Sequence, residues 1–141
     1  MNTSITKIIK SYQKHQKPIA ILLFFIILLL DQIIKHSIKN PIRNTGSLFG
    51  LFQNQTAAFI HLSFIAIGIL LIFSDKINPT TLAILLSGIL SNLIDRISYG
   101  YVIDYINLRI WPAFNLGDAA ITLGVIFLFL QFIQSHTPCK V

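Results

Sequence analysis

Glutamate is absent from this chain of 141 residues, and its acidic side chains are five aspartates. Charged residues amount to only 11%, against 54% hydrophobic and a mean hydropathy of +0.72. That balance excludes an ordinary soluble domain and points to an integral membrane protein. The lone cysteine, Cys139 in the tail, excludes an internal disulfide and a cysteine-based metal cluster. His15, His36, His61 and His136 show no ligand spacing, so neither a metal site nor a cofactor is expected. His61 reads as a polar packing residue within an apolar stretch. A net charge of +6 raises nucleic acid as a partner, but Lys7, Lys10, Lys14 and Lys17 crowd ahead of an apolar run, as a cytoplasmic flank does. No nucleic-acid motif accompanies them, and no nucleic-acid partner is expected.

What the chain has in abundance is long apolar runs. They cover residues 18–34, 57–73, 79–94 and 119–133. The first starts too late, and lacks the small-residue exit, to be a cleaved signal peptide. The second and third are joined by a short Asn-Pro turn, which implies an antiparallel helix pair. The expected fold is an all-α membrane protein, a bundle of four transmembrane helices with a small extracytoplasmic β/loop element. The expected organisation is a basic cytoplasmic N-terminus over residues 1–17, a four-span membrane domain over 18–134 and a short cytoplasmic tail over 135–141.

With four spans, the long connections 35–56 and 95–118 emerge on one side. The basic residues divide six to five, Lys7, Lys10, Lys14, Lys17, Lys76 and Lys140 against Lys35, Lys39, Arg43, Arg96 and Arg109. The four-lysine cluster decides for cytoplasmic termini and extracytoplasmic long loops. Tyr99, Tyr101, Tyr105 and Trp111 then suit the interface, and residues 101–108 suit a short strand on the membrane surface.

Four of the five aspartates lie at ends of apolar runs, where an ionised group is costly and marks a functional site. Asp31 and Lys35 are four apart on one helix face, in the order that favours an ion pair. Asp95 adjoins Arg96 and reads as a structural ion pair. Arg96 itself suits a substrate carbonyl or a lipid phosphate. Asp118 follows Asn115 by three, a variant capping box for the last helix. Asn44 and Gly46 fit a simple turn.

Taken in order, the polar blocks are Asp31-Gln32-Ile33-Ile34-Lys35, Asn44-Thr45-Gly46-Ser47-Leu48-Phe49, Ser87 to Arg96 running on to Gly100-Tyr101-Val102-Ile103-Asp104-Tyr105, and Phe114-Asn115-Leu116-Gly117-Asp118-Ala119-Ala120. This order and spacing resembles the bacterial lipoprotein signal peptidase family (signal peptidase II), whose patterns are DQxxK, NxGxxF, GNxxDRxxxGxVxDF and FNxAD. The resemblance runs over residues 18–133. It implies an endopeptidase of the bacterial inner membrane, a monomer that acts on diacylglyceryl-modified prolipoproteins among membrane lipid. It further implies two catalytic aspartates, Asp104 and Asp118, with Asn92, Arg96 and Asn115 around them. Asp31, Lys35, Asn44 and Gly46 match blocks that shape the substrate site. Ser87 and Ser91 stand where the family's GGxxGN stretch has glycine, Gly117 where FNxAD has alanine, and Tyr105 where the pattern has phenylalanine. These swaps leave the catalytic reading intact and bear on substrate range.

Hydrolysis without metal or covalent nucleophile needs an activated water and a proton donor, which two carboxyls sharing one proton supply. A Ser/Lys hydrolase would draw on Ser37, Ser47, Ser91 or Ser98 with Lys35 or Lys39, but leaves the aspartates unexplained. A non-catalytic carrier would place its acids mid-span.

Overall fold

The structure, a computed structural model, describes residues 3–46 and 55–136, with side chains from 16 to 46 and 55 to 135. Ser47, Leu48, Phe49, Cys139 and Lys140 lie outside the described residues, as do the side chains of Lys7, Lys10 and Lys14. The elements run α1 (Thr3–Ser37), β1 (Ile42–Asn44), α2 (Thr56–Ile72), α3 (Pro79–Tyr99), β2 (Val102–Asp104) and α4 (Leu116–His136). Three helices are long and apolar enough to cross a membrane, over Gln16–Ser37, Pro79–Tyr99 and Leu116–Ser135. The fourth, α2, is apolar but has 17 residues, about 25 Å at 1.5 Å per residue. The first helix carries the basic stretch and the apolar run as one element, with Pro18 inside it.

The third helix is the centre of the bundle. It packs on α1 and α4 most extensively and on α2 less so, and it buries Ser87, Gly88, Ser91, Asn92 and Asp95 among others. Small residues let α4 close on it: a Cβ at Gly88 would run into the Gly117 carbonyl oxygen. The peripheral α2 has no buried residue. Leu22, Leu29, Ile33, Phe129 and Phe132 face outward, as side chains in contact with lipid do. Buried positions are instead rich in polar groups, which the backbone and one another must satisfy.

Sharp stops set the helix ends. Asn78 caps α3, its side chain accepting from the Thr80 N–H at 2.9 Å with Pro79 in the first turn. A 3-10 turn over Ser74–Lys76 joins α2 to α3. At the other end Gly100 (φ 79°) takes the left-handed position that terminates the helix, its N–H on the Arg96 carbonyl at 3.0 Å. The chain then turns into β2, antiparallel to β1 with Ile42 opposite Asp104 and Asn44 opposite Val102. An Ile106–Phe114 bridge closes the following loop.

Three local expectations change. The strand is only three residues long and is buried rather than laid on the surface, because Asp95 accepts the Ile103 N–H at 3.0 Å and pulls it onto α3. Tyr105 turns inward, its hydroxyl donating to Asp31 at 2.8 Å, while Tyr99 and Trp111 stay exposed. His61 is exposed on α2, with its ring nitrogen on the Ala57 carbonyl at 2.7 Å, rather than packed between helices.

Candidate active site

At the α3 end that leads into β2, two polar networks meet. The deeper one is a fully enclosed set of charges. Lys35 reaches Asp31 at 2.7 Å and Asp95 at 2.9 Å, all three at 1% exposure or less. So the cation of α1 ties together two acids that sequence spacing assigned to different pairs. Asp95 does not use Arg96, because adjacent helix residues point about 100° apart. Gln32 donates to Asp95 at 3.0 Å and to the Ser91 hydroxyl at 2.9 Å, and Ser91 donates to Asp31 at 2.6 Å. Every buried side-chain polar atom among the described residues has a partner, which such burial of charge requires.

The shallower network contains Asp104 and Asp118. Asp104 ends β2 and is 1% exposed. Its oxygens accept from the Asn44 amide (2.9 Å), supplied by the paired strand, and from the Asn115 amide (2.9 Å). Burial pushes this carboxyl up to about 6, against the Asn44 hydrogen bond, which lowers it, and with the nearby Asp118 charge, which raises it again. Asp118 sits in the first turn of α4 in a reciprocal capping box. Its N–H meets Asn115 Oδ1 at 2.8 Å, and its Oδ2 accepts the Asn115 N–H at 3.1 Å. The capping geometry uses one carboxylate oxygen and leaves Oδ1 to Asn92, at 2.8 Å.

The orientation of these amides is determined by their partners. Lys35 has only N–H groups to offer, and it takes Asn92 Oδ1 at 3.1 Å. Asn92 must then turn its NH₂ to Asp118. In the same way the Asp118 N–H takes Asn115 Oδ1, so Asn115 turns its NH₂ to Asn92 Oδ1 (3.1 Å), Ile103 O (3.3 Å) and Asp104. Asn115 thus bridges the two acids, and both are surrounded by donors.

Asn92, Asp118, Asn44 and Arg96 form the polar end of a cavity of about 500 Å³ between α2, α3 and α4. Its other walls are apolar, among them Leu62, Ile69, Ile89 and Val125. Arg96 crosses one side, its Nη2 on the Gly46 carbonyl at 3.4 Å and its guanidinium over the Phe59 ring at 5.1 Å. Gly46 is itself held by its N–H on Asn44 Oδ1 at 3.0 Å. A second cavity, about 510 Å³ between α1 and α3 at the opposite end, meets Asp75 but none of the clustered aspartates.

The nine residues named from sequence therefore fall into two groups. Asp104, Asp118, Asn44, Gly46, Asn92, Arg96 and Asn115 surround the carboxyl pair, whereas Asp31 and Lys35 are enclosed behind it. Gln32, Ser91 and Tyr105 were missed as members. The first two lie beside named residues in their own motifs, but Tyr105 carried an interfacial signal only. No group of three metal-ligating side chains occurs among the described residues. Ser91 and Lys35 do approach to 3.3 Å, but the amine is bound by two carboxylates and the hydroxyl donates to one of them. That pair has no free base and no access.

The profile of the family described as Signal peptidase (SPase) II matches residues 23–134. The chain is 35% identical over 137 residues to a lipoprotein signal peptidase of Moorella thermoacetica, covering 80% of this chain and 91% of that one. It is 37% identical over 134 residues to one of Thermodesulfovibrio yellowstonii, covering 78% and 91%. Two solved structures, described as bacterial membrane enzymes at 2.3 and 1.9 Å resolution, share the fold with TM-scores of 0.75 and 0.70. They are 22% and 24% identical and cover 88% and 82% of this chain, and 94% and 92% of their own. A buried Asp104 beside a cavity-lining Asp118 on a helical membrane scaffold, a profile match over residues 23–134 and relatives aligned over about four-fifths of the chain lead to one conclusion: this chain belongs to the signal peptidase II family of membrane peptidases.

Proposed function

We propose that this protein is an aspartyl endopeptidase that removes signal peptides from diacylglyceryl-modified prolipoproteins, cutting N-terminal to the lipidated cysteine. The observation that carries the reading is the carboxyl pair. Asp104 and Asp118 come from separate elements and are bridged by Asn115, and Asp118 stands at the polar end of an apolar interhelical cavity with Asp104 buried behind it. Neighbouring acids in so dry a site share a proton, and the mixed state serves as base and acid together. The ionised carboxyl of the pair activates water by taking its proton. The protonated partner gives its proton to the scissile carbonyl oxygen, and the proton taken from water passes to the leaving amine. Arg96 and Asn44 orient the peptide at the cavity rim. No metal or cofactor enters the reaction.

The apolar walls accept the signal helix and acyl chains, each buried CH₂ contributing roughly 0.8 kcal/mol. The enzyme acts as a monomer in the bacterial inner membrane, with both termini cytoplasmic and the acids toward the extracytoplasmic face. The test is incubation of purified enzyme with a diacylglyceryl-modified precursor and with the same precursor carrying Cys→Ser, read by gel shift. Cleavage of the first alone is expected. Equal rates would point to a general intramembrane aspartyl protease.

A further inference from the structure

Three of the four places where this chain leaves the family pattern converge on one side chain. Ser91, in place of glycine, donates its hydroxyl to Asp31 Oδ2 at 2.6 Å. Tyr105, in place of phenylalanine, donates to Asp31 Oδ1 at 2.8 Å. Gly117, in place of alanine, leaves open a point where a Cβ would lie 3.0 Å from Asn115 Oδ1, 3.2 Å from Asp31 Oδ2 and 3.2 Å from the Gly88 carbonyl oxygen. The fourth, Ser87, bonds to its own helix at Ile84 O and takes no part.

The three substitutions fit one another physically. With Lys35 on the same oxygen at 2.7 Å, the two added hydroxyls hold Asp31 at both oxygens. A carboxylate so held cannot give the few tenths of an ångström that an alanine methyl at 117 would demand. The Gly88 carbonyl is backbone and cannot give either, so the displacement would pass to Asn115 Oδ1, the nearest of the three and the acceptor of the Asp118 N–H. Glycine removes that conflict. The Tyr105 hydroxyl has a second partner: it accepts the Leu116 N–H at 3.0 Å, one of the first-turn donors of α4 that no helix carbonyl can satisfy.

We infer that Ser91, Tyr105 and Gly117 form one coupled adaptation that pins Asp31 and, through the Tyr105 hydroxyl on Leu116, positions the first turn of α4 that carries Asp118. Tyr105 is thus a positioning residue, and the inference rests on the acid-pair reading of the site. The charged groups acting on it are Asp31 from α1 and Asp118 from α4. Burial, and then the bond to Asp31, hold its phenol above the ordinary range, so it stays a donor to Asp31 at any working pH.

The test is a mutant cycle on the full chain in detergent, with a diacylglyceryl-modified precursor as substrate and unfolding followed in parallel. Tyr105→Phe is expected to lower kcat about tenfold with KM unchanged, because the peptide-binding rim is untouched. Gly117→Ala is expected to cost about tenfold in kcat/KM in the natural background, and less than about threefold beside Ser91→Gly and Tyr105→Phe, which free Asp31 to yield. A Gly117→Ala protein that folds only in that second background supports the coupling equally. The inference is overturned by equal Gly117→Ala penalties in both backgrounds, by failure to fold in both, or by an unchanged kcat for Tyr105→Phe. Failure of the acid-pair reading shows separately, as activity retained by Asp118→Asn, and leaves the cycle in unfolding free energy to be read on its own.

Discussion

If Asp104 is held at about 6 mainly by burial, the stability of the folded protein must depend on pH in a defined direction. The ordinary carboxyl value is 3.8, so the folded state binds the proton more tightly than the unfolded state does. Stability from this group is therefore fully present below about pH 4 and is lost as pH rises through about 6. At about 1.4 kcal/mol per pH step, the full excursion is worth about 3 kcal/mol as an upper figure. A single unfolding curve sums every titrating group, so this one is read by difference. The assay is chemical unfolding in mixed micelles at several pH values between about 4.5 and 7.5, on the natural protein and on Asp104→Asn. The difference between them isolates the residue. The natural protein is expected to lose stability relative to Asp104→Asn as pH rises, by up to about 3 kcal/mol. Parallel curves would refute the burial argument, whatever the absolute cost of the substitution.

Gly88→Ala places a methyl against the Gly117 carbonyl and Ile121, where backbone meets backbone; a loss of about 1–3 kcal/mol is expected in the same unfolding assay. Asn92→Ala removes the amide between Lys35 and Asp118, and a fall in kcat of about a hundredfold with little change in KM is expected from steady-state cleavage of the lipidated precursor. EDTA is expected to leave the cleavage rate unchanged in the same assay. With Cys139 changed to Ser, Leu108→Cys is expected to react with an impermeant thiol reagent from outside intact cells and Ile77→Cys to remain unlabelled. The reverse pattern would invert the orientation.

The helices were legible because apolar composition acts over whole segments, and Asn78-Pro79 and Gly100 mark their ends by local chemistry. The aspartates stood out because charge is rare in so apolar a chain. What could not be read was partner choice across the fold. Lys35 is four residues from Asp31, and that pair forms, but its second acid is Asp95, sixty residues away and brought close only by α1 packing on α3. Arg96, next to Asp95 in sequence, points to a different face. Tyr105 misled because an aromatic near an apolar segment has two uses, an interfacial ring and a buried hydroxyl, and composition does not separate them. The swap from phenylalanine looks conservative by shape, yet the one added oxygen meets both Asp31 and the start of α4. Likewise Ser91 reads as a small packing residue until the helices around it are placed. The strand at Val102–Asp104 was visible as β-branched sequence, but its burial depends on a carboxylate of the preceding helix.

The most direct test of the acid pair is cleavage of a diacylglyceryl-modified prolipoprotein by Asp104→Asn, Asp118→Asn and the double variant, each first shown to be folded and membrane-inserted. On the proposed mechanism the two carboxyls act as a unit, so their losses are expected not to add: each single variant should fall by at least about a thousandfold, and the double variant no further. Near-normal turnover by either single variant would contradict the shared-proton mechanism.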